Sequence, residues 1–84
     1  MMKMKKEKED YFETNDLALT TAISLFCSIE AVDKSNERRV FWKFKRNEKL
    51  SRILDAYYRR ELRVDPAAYF EQLSFIKTRL YSGD

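Results

Sequence analysis

The chain has 84 residues, 44% of them hydrophobic, 37% charged and 14% aromatic, with 17 Lys plus Arg against 14 Asp plus Glu for a net charge of +3. That length holds one small domain with a shallow core, and the aromatic share excludes a disordered chain. No histidine, one cysteine and one glycine exclude a disulfide framework, His/Cys metal sites, imidazole-dependent triads and glycine-rich phosphate loops, so neither metal nor cofactor is expected.

No apolar run approaches the roughly 20 residues of a membrane span, and the lysine-rich start has no apolar stretch behind a cleavage site. The expectation is a cytoplasmic protein with no membrane contact, a mobile charged tail over 1–10 and a single domain over 11–84. Residues 11–14 read as a short edge strand. Asn15 or Asp16 then offers a side-chain oxygen to cap a helix over 16–27, whose Leu19, Ala22, Ile23 and Phe26 recur at helical spacing. Leu17, Ala18 and Leu25 widen that stripe, which predicts a helix buried on more than one side. Cys27, between Phe26 and Ser28 and close to Ile29, is expected to be a packed, inert thiol.

Residues 28–33 read as a strand, the polar run 34–37 as a four-residue hairpin connection, and 38–46 as a second strand. Alternation across the pleat sends Val40, Trp42 and Phe44 to the core and Arg39, Phe41, Lys43 and Lys45 to the other side. Asn47 is placed to cap a second helix with Leu50, Ile53, Leu54, Tyr57 and Tyr58 on its apolar face. After the break at 59–64, Asp65 and Pro66 signal a third helix, to about Tyr81. Its expected buried stripe is Tyr69, Leu73, Ile76 and Leu80, flanked by Phe70 and Lys77, with Gly83 just past its end. The fold class is therefore α+β: a β-α-β-β-α-α domain with an antiparallel sheet and three helices on one face.

The charge is unevenly spread. Residues 34–63 hold 11 basic and four acidic side chains, a balance of +7, and the remainder carries −4, so a polarised surface with one basic face is expected. On the second strand, Arg39, Lys43 and Lys45 surround Phe41, pairing a stacking surface with phosphate-neutralising cations, as on single-strand-binding sheets. The plainer account has Phe41 covered and the lysines guarding an edge strand. Arg59, Arg60 and Arg63 follow the second helix, where its dipole alone favours cations, or where they extend the basic face. The carboxylates lack the company that catalysis requires. The expected function is a non-catalytic binding module, an accessory factor in a nucleic-acid-handling system that recognises backbone charge. The alternative is a protein-interaction subunit, either a homodimer or a component of a larger assembly. Phe75 and Tyr81, if exposed together, would mark its interface.

Several of these residues also carry a family resemblance: Phe12, Thr14, Asp16, Leu17 and Leu19; Val40, Phe41 and Phe44; Ala56, Tyr57 and Glu61-Leu62-Arg63-Val64; then Tyr69, Phe70, Lys77 and Arg79-Leu80-Tyr81. The pattern resembles the bacterial and phage domain of unknown function numbered 5659, over about residues 12–81. The resemblance implies a compact α+β domain, often a short stand-alone protein, and brings no chemistry with it. The chain departs from the family's tendency toward a glycine after the first helix, where it has Cys27-Ser28, and toward a small turn near Arg59-Arg60.

Overall fold

Residues 10–36 and 38–81 are described by the computed structural model; residues 1–9 of the expected tail and Gly83 lie outside them. The described chain runs β1 (Tyr11–Thr14), α1 (Leu17–Ser24), β2 (Ile29–Asp33), β3 (Phe41–Lys45), α2 (Glu48–Tyr58) and α3 (Pro66–Tyr81). This is the α+β order expected, with three helices on one face of an antiparallel sheet. Each helix begins where a side-chain oxygen takes up an orphan amide. The Leu19 amide donates to Asp16 at 3.2 Å, the Leu50 amide to Asn47 at 2.8 Å, and the Ala68 amide to Asp65 at 2.9 Å. Pro66, with no amide to lose, opens α3.

The strand order is β1-β3-β2, with β3 antiparallel to both neighbours. β1 and β2 are therefore parallel to each other, which is why a helix connects them and β3 is inserted between. Phe12 pairs with Phe44 and Thr14 with Trp42 on the core side, while Glu13 pairs with Lys43 and Tyr11 with Lys45 on the other. In β2 the ladder steps irregularly between Ile29 and Ala31. The bulge at Glu30 lets Ile29 and Val32, three apart in sequence, both pack toward the core. Simple alternation would have separated them.

Trp42 and Phe44 are fully buried, in one cluster with Leu19, Ile23, Leu50, Ile53 and Ile76. Leu19 through Ile23 are all buried, because α1 packs against both α2 and α3 as well as contributing Leu19 and Ile23 to the sheet's cluster. The expected burial on several sides is thus observed. Its consequence is two buried hydroxyls. Thr21 donates to the Leu17 carbonyl at 2.8 Å, whereas Thr20 Oγ1 has no partner among the described residues.

The structure corrects several boundaries and faces. α1 ends at Ser24, and the Cys27 amide closes a turn on the Ile23 carbonyl at 2.8 Å; beyond the helix, Phe26 leaves the stripe and is exposed. Tyr58, in the last turn of α2, is 66% exposed, with its ring edge-on to Tyr57. β2 starts at Ile29, and β3 spans only Phe41–Lys45 instead of 38–46. The β2–β3 connection is correspondingly longer than a four-residue hairpin loop. It opens with the Ser35 amide on the Asp33 carboxylate at 2.9 Å and continues with the Arg38 amide on the Asn36 side chain at 2.8 Å, two Asx turns that draw the chain away from the ladder.

Three substitutions test this packing. Trp42→Ala is expected to cost about 3–5 kcal/mol, a large share of a small domain's stability, against under about 1 kcal/mol for Lys45→Ala on the other face. Thr20→Val, which removes an unpartnered buried hydroxyl at nearly constant volume, is expected to be neutral or stabilising by up to about 1 kcal/mol. Urea unfolding followed by far-ultraviolet circular dichroism measures all three, since Trp42→Ala removes the chain's single tryptophan.

Candidate functional site

The outward side of the sheet is built by alternation from Tyr11 and Glu13 of β1, Phe41, Lys43 and Lys45 of β3, and Ala31 and Asp33 of β2. Phe41 and Lys43 are half-buried, and Lys45 is exposed. Lys43 Nζ lies 3.7 Å from Glu13 Oε2. The Ser35 amide bond, then the Ser35 hydroxyl and the charge of Lys43, hold the Asp33 carboxyl below the usual carboxylate range. Acids on both neighbouring strands therefore offset the lysines of β3. Arg46 turns off the end of the strand, with its guanidinium 5.5 Å from the centre of the Phe12 ring and Nε donating to the Tyr11 carbonyl at 3.3 Å.

Arg39 lies outside β3, so the alternation that grouped it with Phe41, Lys43 and Lys45 does not apply to it. Together with Arg38 it lines a cleft of about 450 Å³ whose other walls are Asn15, Leu17, Val40, Trp42, Leu80 and Tyr81. The volume is that of a small-ligand site. Two guanidiniums, an amide and an exposed tyrosine meet an apolar floor, and no carboxylate is among the described lining residues. Position in the chain gave no hint of this, because Arg38, Asn15 and Tyr81 come from three separate segments. The one sequence signal was the polar run 34–37 just ahead of Arg38, since turn residues mark where a strand pattern stops being a strand.

Arg59, Arg60 and Arg63 are exposed in the α2–α3 connection. Arg60 has φ 63, the left-handed region where a side chain costs about 1–2 kcal/mol and glycine fits freely. It occupies the turn that ends α2: the Glu61 amide bonds the Ala56 carbonyl at 2.8 Å and the Arg60 amide the Tyr57 carbonyl at 3.0 Å, the paired bonds of a Schellman cap. Arg60 lines two clefts. One, of about 400 Å³, is shared with Glu61, Leu62, Arg63 and Val64; the other, of about 220 Å³, with Ala22, Tyr57, Leu62, Val64 and Tyr69. The walls of both belong to the helical layer, so these arginines work apart from Lys43 and Lys45 on the opposite side of the sheet.

Cys27 is half-buried; burial pushes its thiol up, against the charge of Lys49, which suits an unreactive thiol. Burial, then the charges of Asp16, Tyr69 and Tyr58, likewise raise the Tyr57 phenol. Among the described residues, no group of three or more His, Cys, Asp or Glu side chains is placed to hold a metal ion, and no helix is long and apolar enough to cross a membrane.

Residues 9–82 match the family model described as a domain of unknown function, DUF5659. No curated protein and no solved structure matches the chain.

Two outcomes follow from these local geometries. Arg60→Gly, which relieves the left-handed backbone, is expected to raise the melting temperature by a few degrees, and Arg59→Gly to lower it; thermal scans by circular dichroism compare them. Because burial raises Cys27 and Tyr57 on folding, the stability they contribute is intact below their ordinary values of 9.0 and 10.0 and is lost as pH climbs through the folded values. The melting temperature should therefore fall on the alkaline side, and less steeply for Tyr57→Phe.

Proposed function

Because the chain belongs to the DUF5659 family, whose description assigns no activity, we propose a function from the geometry: a non-catalytic binding module for single-stranded nucleic acid, acting as an accessory factor in a nucleic-acid-handling system. The observation that carries this reading is the cleft that joins Arg38 and Arg39 to Tyr81 and an apolar floor, with no carboxylate among its described lining residues. Guanidiniums pair bidentately with phosphate, and an exposed aromatic ring offers any base a stacking face. Such a site reads backbone charge rather than sequence.

The wider charge pattern supports the same reading. Lys45 on the sheet and Arg59, Arg60 and Arg63 on the helical side add further exposed cations from the segment with a +7 balance, on separate sides of the molecule. Arg60 stands where glycine would cost less, and a side chain kept in a disfavoured conformation points to use rather than to stability. Phe41, flanked by Lys43 and Lys45, gives a second stacking surface, weakened by Glu13 and Asp33 beside it. A second reading, contact with another protein chain, rests on the aromatic side chains of α3 that stay exposed; it shares Tyr81 with the cleft, so the two uses compete for that ring.

Binding to labelled single- and double-stranded oligonucleotides across a salt series tests the proposal. Affinity should favour single strands and fall steeply with salt, with a logarithmic slope of about −0.7 per phosphate neutralised. The Arg38→Glu/Arg39→Glu pair should weaken binding at least tenfold at low salt while the melting temperature barely moves. Charge reversal at Arg59 and Arg60 should weaken it less. Absence of binding at low salt, or full binding by the Arg38/Arg39 variant, overturns the reading.

A further inference from the structure

α3 buries one side against α1 and the core through Tyr69, Leu73, Ile76 and Leu80, and leaves Phe70 at 69% and Tyr81 at 78% exposure on its other side. That outward side has an internal symmetry. At about 100° per residue, Ala67, Phe70, Glu71, Lys77, Thr78 and Tyr81 all fall within about 60° of Ser74, and all are exposed. Reversing the helix about Ser74 exchanges large for small and acid for base: Tyr81 falls opposite Ala67, Phe70 opposite Thr78, and Glu71 opposite Lys77.

From this self-complementarity we infer that the outward face of α3 is a docking surface for a second copy of the chain, paired antiparallel about a two-fold axis at Ser74. An isologous contact requires one patch to be its own complement. A foreign partner would need no acid and base placed symmetrically about a serine. In the pair, each large ring covers a small residue of the other helix, Ser74 lets the two backbones approach at the axis, and the Glu71–Lys77 pair forms twice at the rim. Parallel pairing sets like charges together, so the charges fix the orientation more than they add affinity. A single helix pair is at the small end of specific interfaces, so the dimer dissociates on dilution.

The inference does not rest on nucleic-acid binding. Its test uses the full chain without nucleic acid, and its variants lie outside the Arg38/Arg39 cleft. Sedimentation equilibrium at roughly 0.1 mM, where a dimer with a micromolar Kd would prevail, should return about twice the monomer mass of 10.2 kDa. Glu71→Lys and Lys77→Glu should each return the monomer mass, and the double variant Glu71→Lys/Lys77→Glu should restore the dimer. Phe70→Glu should give monomer with unchanged circular dichroism. A monomeric parent chain at that concentration, or a dimer indifferent to the single charge reversals and to Phe70→Glu, overturns the proposal.

Discussion

The burial of Trp42 and Phe44 on the central strand is the constraint from which the rest of the molecule follows. β3 is hydrogen-bonded on both edges, so its two large rings must be covered by helices packed on one side of the sheet. α1 supplies the middle of that cover with Leu19 and Ile23, and α2 and α3 close it with Leu50, Ile53 and Ile76. An 84-residue chain has little more apolar surface to commit. Hence no described element covers the other side of the sheet, where the side chains that alternate with Trp42 and Phe44 range from half-buried Phe41 and Lys43 to exposed Lys45.

That side is less basic than the charge of its central strand implies. Glu13 and Asp33 stand on the edge strands beside Lys43, as cross-strand pairs of opposite charge usually do. The strongest concentration of cations next to apolar surface is instead at the end of the sheet, where two Asx turns lift Arg38 and Arg39 off the ladder. The basic segment is thus divided among three places: the sheet face, the cleft and the α2–α3 connection. Of these, among the described residues, the cleft alone combines two arginines with an apolar floor and no carboxylate.

Local chemistry carried much of the fold. Asp16, Asn47 and Asp65 marked the helix starts because a cap is decided by one oxygen and one amide a few residues away. The order of elements and the inward set Val40, Trp42 and Phe44 followed from period alone, since a period of two or 3.6 needs no knowledge of neighbours. Phe26 and Tyr58 defeated the same reasoning. They fall on or beside an apolar stripe, but whether a stripe is covered along its whole width depends on where the neighbouring helices end, and α1 ends at Ser24.

What the sequence by itself determined is therefore the set of elements, the capping residues and the two aromatic rings at the centre, all of which depend on interactions within a few residues. Tertiary structure alone decided that Glu30 bulges to bring Ile29 and Val32 to one side, that Arg39 parts company with Phe41, and that Asn15, Arg38 and Tyr81 meet at one cleft. The reason is physical. Those outcomes depend on register and on contacts between segments far apart in the chain, and these are set only when the whole sheet and its helices pack at once.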